Sequence, residues 1–272
     1  MEHVKVNGVE LAYEIAGAAG EVVVLLNGIA MSISHWRAFA GGLEAGRRIL
    51  MSDLRGQLLS GRPAGPYSLE LHAEDLAALL DRLGIEAAHI VGTSYGSEVG
   101  LVFARLYPER CRSLVVIDGA SEAGPLLRAA VLAWRSAALV DPLTFYRCIV
   151  PWTYSEGYIR DHGELLRSRE AGLTGLPRDY FDAFAALCDS FLQIDETGRL
   201  AEISCPTLVL VGSEDILKPP AYARTIAAGI PGSRLEILPG LGHGAVIEDP
   251  RGTAERVGAF LGSLAPAEEG GQ

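Results

Sequence analysis

Gly92-Thr93-Ser94-Tyr95-Gly96 is the stretch that most constrains what this chain can fold into. The apolar run Ala87 to Val91 before it has the character of a buried strand. Glu98 to Tyr107 after it has helical spacing, so Ser94 falls at a strand-to-helix turn of the nucleophile-elbow kind. So sharp a turn holds the serine in a strained backbone conformation and drives the residues two positions either side against each other. Glycine at 92 and 96 removes the clash. The helix that follows points its free N–H groups and positive dipole end at Ser94, where an oxyanion would form during acyl transfer. A chain with 32 glycines yields such a pentapeptide by chance, so the flanking strand and helix carry the reading.

The same alternation runs through both ends of the chain. His3 to Val6 and Val9 to Ile15 flank Asn7-Gly8, a hairpin signal for an antiparallel edge. Val22 to Leu26 is a continuous apolar run of the type buried on both faces of a parallel sheet, and it ends at Asn27-Gly28-Ile29. A loop there lies on the ligand face of an open α/β sheet, which makes the N–H of Ile29 a candidate oxyanion donor beside that of Tyr95. Ser34 to Leu43 reads as a short helix and Arg47 to Ser52 as the next strand, with Asp53 and Arg55 expected to brace its loop. A helix from Ser68 to Gly84 precedes the elbow strand, and Ser113 to Ile117 follows the elbow helix as another strand.

From about 121 to 200 the periodicity is helical throughout: Leu126 to Val140, Pro142 to Val150, Ser155 to Glu170 and Asp179 to Ile194. The expected organisation is therefore an α/β core over 1–120, a helical cap over 121–200, the rest of the core over 201–264 and a disordered tail over 265–272. Most cap aromatics should pack helix on helix, but Trp134, Phe145 and Trp152, together with Asn27, are the candidates to line an apolar substrate pocket. In the second part of the core, strands Pro206 to Val211 and Arg234 to Leu238 lead into loops carrying Asp215 and His243. Asp249-Pro250 then opens a last helix to about Leu261.

A serine hydroxyl is a weak nucleophile near neutral pH, so it needs an adjacent base, and the base needs a carboxylate to fix its tautomer. His243, in a glycine-rich loop after the last strand, is the natural base. His89 lies inside a strand, His3, His72 and His162 fall on expected surface positions, and His35 is the one rival, on the oxyanion side. Asp215 supplies the acid in the chain order serine, acid, histidine, with Asp118 after the preceding strand as the alternative and Glu214 behind both. Glu98, one turn into the elbow helix, is a polar group near the core that is expected to meet a cap residue.

Composition narrows the partners. A formal net charge of -11 disfavours nucleic acid and anionic membranes, which would repel the chain at long range. No apolar run is long enough to span a bilayer, and Met1 to Lys5 lacks a secretory leader pattern, so a cytoplasmic protein is expected. Basic residues are almost all arginine, with Lys5 and Lys218 the two lysines. Cys111, Cys148, Cys188 and Cys205 have no metal-ligand spacing and read as free, mostly buried thiols in a reducing compartment. Either a monomer or a homodimer is compatible with this pattern.

Asn27-Gly28-Ile29, Asp53-Leu54-Arg55-Gly56, Gly92 to Gly96, Cys205 to Gly212 with Asp215, and Gly242-His243 with Glu248 and Pro250 together resemble the α/β-hydrolase superfamily over essentially the whole chain. The resemblance implies an α/β fold with an eight-stranded, mostly parallel sheet flanked by helices, an inserted helical cap, and no metal or organic cofactor. Two departures stand out. Asn27 replaces the histidine that most relatives carry before the glycine, and Gln57 stands where many have another histidine. The stretch Leu26 to Ser32 is more similar to the branch holding the hydroxyacyl acyltransferase of rhamnolipid biosynthesis, although Asn27 can equally replace that histidine's structural hydrogen bonds. Serine at 94 argues against dehalogenase and epoxide hydrolase relatives, which use aspartate there.

The leading expectation is a serine hydrolase acting on a small or medium apolar ester, lactone or thioester through an acyl-enzyme on Ser94. An acyltransferase passing a (hydroxy)acyl group to a hydroxyl acceptor is the alternative, and a ligand-binding protein with a retained triad is a third. Carbon–carbon bond hydrolases and cofactor-free perhydrolases share the same residues.

Overall fold

Asn7 and Gly8 both adopt positive φ, 43° and 77°, and turn β1 (Glu2–Val6) back on β2 (Val9–Ala16) as the hairpin signal predicts. The computed structural model describes residues 1–264, and the tail expected at 265–272 lies outside them. Six more strands complete one sheet: β3 (Glu21–Leu26), β4 (Arg47–Ser52), β5 (Ala88–Thr93), β6 (Cys111–Ile117), β7 (Thr207–Gly212) and β8 (Arg234–Leu238). Their order is β1-β2-β4-β3-β5-β6-β7-β8, antiparallel through β4 and parallel thereafter. This is the eight-stranded, mostly parallel sheet expected.

The order reverses at β3. The chain leaves β3 toward β4 and then crosses back to β5, so the loops after β3 and β5 diverge from paired ends, Leu26 beside Gly92. Such a switch point opens a crevice at the carboxyl edge of the sheet.

Strand side chains alternate between two cores. Val22, Val24 and Leu26 of β3 face α2 (Leu69–Arg82) and α3 (Tyr95–Leu106), whereas Val23 and Leu25 face α1 (Arg37–Ala40). After β6 the chain leaves the sheet for five helices: α4 (Pro125–Val140), α5 (Pro142–Thr153), α6 (Glu156–Asp161), α7 (Gly163–Leu173) and α8 (Arg178–Phe191). The single helix expected over Ser155 to Glu170 is broken between α6 and α7, because His162 leaves helical geometry (φ -119°, ψ 24°) just before the weak helix former Gly163. α9 (Pro220–Gly229) covers the first core again, and α10 (Ala245–Glu248) and α11 (Pro250–Gly262) cover the second.

The five helices are closed at their base and filled by aromatics. Glu122 bridges Asp195, the Glu196 N–H donates to the Ser121 carbonyl at 2.8 Å, and Arg105 forks onto Glu196 at 2.8 and 3.0 Å. Within, Phe145 stands edge-on to Phe181 and Phe184 with centroids 5.6 and 4.6 Å apart. Among the described residues no helix is long and apolar enough to cross a membrane.

His72 corrects a surface expectation. It is fully buried on the inner face of α2, its ring 6.0 Å from Tyr67 and 5.4 Å from Tyr95, with neither ring nitrogen partnered among the described residues. Burial pushes its pKa down to about 3. Between that value and 6.5 the unfolded chain binds a proton that the folded chain does not. The contribution to stability is therefore complete above about pH 6.5 and falls by about 1.4 kcal/mol per unit below it. His72→Leu should remove about 2 kcal/mol of the stability loss that the wild type shows between pH 7 and pH 5, read by chemical denaturation at both values.

Candidate active site

Ser94 stands between β5 and α3 with φ 50° and ψ -119°, a strained conformation held by close backbone contacts on both sides. A Cβ on Gly92 would lie 2.2 Å from the Gly96 carbonyl oxygen, and one on Gly96 would lie 2.1 Å from that of Leu26. Only glycine fits either position. Tyr95 opens α3, so its N–H has no acceptor within the helix and lies beside Ser94. The loop after β3 comes equally near, a Cβ on Gly28 being 3.5 Å from that of Ser94, and it brings Ile29 to the same crevice.

Asn27 does not line the crevice. It is fully buried: its Oδ1 accepts from Trp36 Nε1 at 2.7 Å and its Nδ2 donates to Asp53 at 3.0 Å and Gln57 at 2.9 Å. Gln57 Nε2 in turn donates to the Gly28 carbonyl at 2.9 Å. Asp53 accepts from the Ile33 and Leu59 N–H groups at 2.7 and 2.8 Å, while Arg55 forks onto Asp75. Asp53 and Arg55 brace the loop as expected, and Asn27 and Gln57 join them in that network, which corrects the assignment of Asn27 to the pocket.

His243, in the loop after β8, places Nε2 2.8 Å from Ser94 Oγ and Nδ1 2.7 Å from Asp215 Oδ2. The other Asp215 oxygen accepts the N–H groups of Leu217 and Lys218 at 2.9 and 2.8 Å, which fixes the carboxylate against rotation. With Asp215 accepting at Nδ1, the free lone pair of the neutral ring faces the serine hydroxyl. Asp118 is buried beside Asp215 and accepts from the Gly212 N–H at 2.9 Å. Burial, reinforced by the Asp215 charge, holds its carboxyl well above the usual carboxylate range. Its geometry is engaged with β7 rather than with the imidazole. Of the other histidines, His35 lines the crevice but takes the Ser32 N–H on Nδ1 at 3.1 Å, and His89 meets Ser113 at 2.8 Å.

Glu98 corrects another expectation. Its ion-pair partner comes from the loop after β7, not from the helices above: Lys218 Nζ lies 2.9 and 3.0 Å from the two carboxylate oxygens, and the Ala120 N–H donates at 2.8 Å. Burial raises the Glu98 carboxyl and the Lys218 charge opposes it. Lys218, which pattern reading passed over, is 2% exposed, 3.5 Å from Ser94 Oγ and 4.9 Å from the Phe191 ring centroid. One signal was available in the sequence: it is one of two lysines among 23 basic residues and stands three positions after Asp215.

Two spaces meet at Ser94. The larger, about 300 Å³, runs between the sheet edge and the helices and is walled mainly by apolar groups, among them Met31, Phe145, Ile149 and Phe184, with Ser94 and His243 at its floor. Trp134 and Phe145 both line it. Trp152 does not: it falls outside the arc of α5 formed by Phe145, Tyr146, Ile149 and Thr153, and packs half-buried against the core. The smaller recess, about 10 Å³, is bounded by Ile29, Ser94, Tyr95, Trp134, Phe191 and Lys218, with three further leucine and valine side chains. Among the described residues, the buried Trp134 Nε1 and Tyr146 hydroxyl have no partner.

The histidine loop is tied to the helices above. Gly244 N–H donates to the Thr153 carbonyl at 2.6 Å, and Glu248 accepts from the Ser155 N–H at 2.9 Å and hydroxyl at 2.6 Å. Across the crevice, Tyr95 donates its hydroxyl to Ser190 at 2.9 Å. Among the described residues no cluster of histidine, cysteine or carboxylate groups has the arrangement of a metal site.

Known proteins share this arrangement of elements. A family model described as the α/β hydrolase fold matches residues 21–143. A protein of Azorhizobium caulinodans that carries the provisional name carbamate hydrolase RutD is 31% identical over 230 residues, covering 83% of this chain and 85% of that one. The crystal structure of MGS-M2, an α/β hydrolase enzyme from a Medee basin deep-sea metagenome library, superimposes with a TM-score of 0.93 at 28% identity, over 98% of this chain and 100% of the other. The enol-lactonase of Burkholderia xenovorans LB400 gives 0.87 at 25% identity, over 96% and 100%.

Gly96→Ala should lower stability by about 3 kcal/mol or more, because the Leu26 carbonyl cannot retreat without breaking the sheet. Gly172→Ala, a helical position with nothing within 4 Å, should instead raise it by about 0.5 to 1 kcal/mol. Chemical denaturation of the two variants checks the contrast.

Proposed function

The chain belongs to the α/β-hydrolase family, and within it we propose a serine hydrolase that cleaves a small or medium apolar ester, lactone or thioester through an acyl-enzyme on Ser94. The observation that carries the reading is the unbroken relay from Asp215 through His243 to Ser94, at 2.7 and 2.8 Å, on the floor of a largely apolar cavity. Ser94 Oγ attacks the carbonyl carbon as His243 Nε2 takes its proton, and the carbonyl electron pair moves onto oxygen. Asp215 holds Nδ1–H and stabilises the imidazolium without taking the proton itself.

The N–H groups of Tyr95 and Ile29 are the proposed donors to the oxyanion, and loss of one such donor typically costs about a hundred- to a thousandfold in rate. Collapse breaks the bond to the alkoxide or thiolate, which leaves with the proton from Nε2. Water then repeats the sequence, releasing acid and free Ser94. Trp134 and Phe145 are proposed to contact the acyl chain in the 300 Å³ cavity. Water is the proposed acceptor because Asn27, whose identity pointed toward acyl transfer, is fully engaged by Trp36, Asp53 and Gln57.

Intact mass after incubation with a fluorophosphonate should show one adduct on the wild type and none on Ser94→Ala or His243→Ala. An unlabelled wild type, or a labelled Ser94→Ala, would remove the basis of the proposal. In ester hydrolysis assays, Asp215→Asn should lower kcat by a factor on the order of 10⁴ by permitting the wrong imidazole tautomer. Asp118→Asn should lower it less than about tenfold, since an amide oxygen can still accept the Gly212 N–H and Asp118 makes no bond to the imidazole.

A further inference from the structure

Lys218 and Glu98 form a buried ion pair beside the nucleophile and outside the relay. Stability alone does not account for it, because a buried ion pair exchanged for apolar groups of equal volume is often neutral or stabilising. An ammonium carries three donors. Two of those on Lys218 go to the Glu98 oxygens at 2.9 and 3.0 Å, and one of these oxygens also accepts the Ala120 N–H at 2.8 Å. The third donor faces Ser94 Oγ at 3.5 Å, a length at which it does little for the resting hydroxyl. The pair is thus a fixed dipole with its positive end toward the reacting oxygen.

The recess at that end says what the dipole is for. Ile29, Tyr95 and Lys218 bound it together with Ser94, and its volume of about 10 Å³ is that of a single oxygen. The N–H groups of Ile29 and Tyr95 are the proposed oxyanion donors, so in that reading the recess is the seat of the oxyanion and the ammonium forms its third side. Leu127, Val131, Phe191 and Leu217 close the rest with carbon, so water does not screen a charge formed there. A cation is worth most in such surroundings, and it costs no reorganisation at the moment of reaction because Glu98 already holds it in place. Glu98 also balances the ammonium in the resting protein, which is what allows a charge to be kept in a buried site.

We propose that Lys218 is a further catalytic residue, a charged third donor to the oxyanion, held by Glu98 as a positioning residue. This rests on the serine-hydrolase reading and adds a group to its transition state. As Ser94 Oγ bonds to the carbonyl carbon, the serine proton passes to His243 Nε2 and the carbonyl electron pair moves onto oxygen. Lys218 donates its free N–H to the new anion and keeps its proton. On collapse the electron pair returns to the carbonyl, the leaving group departs with the proton from Nε2, and the hydrogen bond lapses. Attack by water on the acyl-enzyme uses the donor in the same way.

The test uses two ketones with the same chain. Trifluoromethyl pentyl ketone takes Ser94 Oγ at its carbonyl carbon and becomes a hemiketal oxyanion, whereas methyl pentyl ketone occupies the site without adding. Inhibition constants of both, against p-nitrophenyl hexanoate, are compared between the wild type and Lys218→Met/Glu98→Gln. That variant carries no lone buried charge and keeps an acceptor for the Ala120 N–H. The trifluoromethyl ketone should bind it at least about a hundredfold more weakly, with a similar fall in kcat, while the methyl ketone changes less than about threefold, as loss of one oxyanion donor implies. Should this pair not fold, Lys218→Gln/Glu98→Gln keeps a neutral hydrogen-bonded pair, brings no charge to the oxyanion and is read the same way. Equal weakening of both ketones would mean a structural role, and an unchanged trifluoromethyl ketone would place Lys218 outside the chemistry. Either result overturns the assignment while the serine-hydrolase reading stands. A wild type that takes up no fluorophosphonate and binds the trifluoromethyl ketone no more tightly than the methyl ketone overturns both.

Discussion

Three backbones converge at the carboxyl end of β5 more closely than any side chain allows, and the rest of the molecule is arranged around that approach. Gly96 lies against the Leu26 carbonyl and Gly92 against that of Gly96, so the end of β3, the end of β5 and the first turn of α3 form one rigid corner. The reversal of strand order between β3 and β5 is what brings these ends together while sending their loops apart. Strain at Ser94 is tolerated because the neighbours over-determine it.

Around this corner lies a layer of buried polar groups, most of them bonded to partners distant in sequence. Asn27, Trp36, Asp53 and Gln57 form one knot beneath the loop that carries Ile29. Asp215, Asp118 and the backbone after β7 form another beneath His243. Glu98 and Lys218 form a third. Because the members of each knot are hydrogen-bonded to one another or to backbone, the side chains above are held in one geometry, which suits preorganised electrostatic chemistry better than a flexible apolar floor does.

What the sequence made legible follows the range of the forces involved. Apolar runs such as Val22 to Leu26, the Asn7-Gly8 turn and the Ser94 elbow are local, and they were readable to within a few residues. His72 was legible in principle, since it sits three residues after Leu69 and four before Leu76 on the stripe that α2 buries, but its polarity argued the other way. Lys218 and the inward turn of Asn27 depend on partners 120 and 26 positions away, and no local pattern encodes them. Trp152 shows the same limit on a smaller scale: composition placed it among pocket aromatics, and its rotational position on α5 took it out.

The bonds that run from Gly244 to Thr153 and from Glu248 to Ser155 give the molecule a mechanical asymmetry. At that corner the helical layer and the histidine loop move as one piece, so lifting the layer there would draw the imidazole away from the serine. Elsewhere the crevice is lined by Gly172 and Leu173 of α7 and by Gly28 and Ile29 of the loop after β3, none of which is hydrogen-bonded to the histidine loop among the described residues. A substrate that seats without disturbing the Gly244–Thr153 and Glu248–Ser155 bonds therefore meets His243 already placed against Ser94.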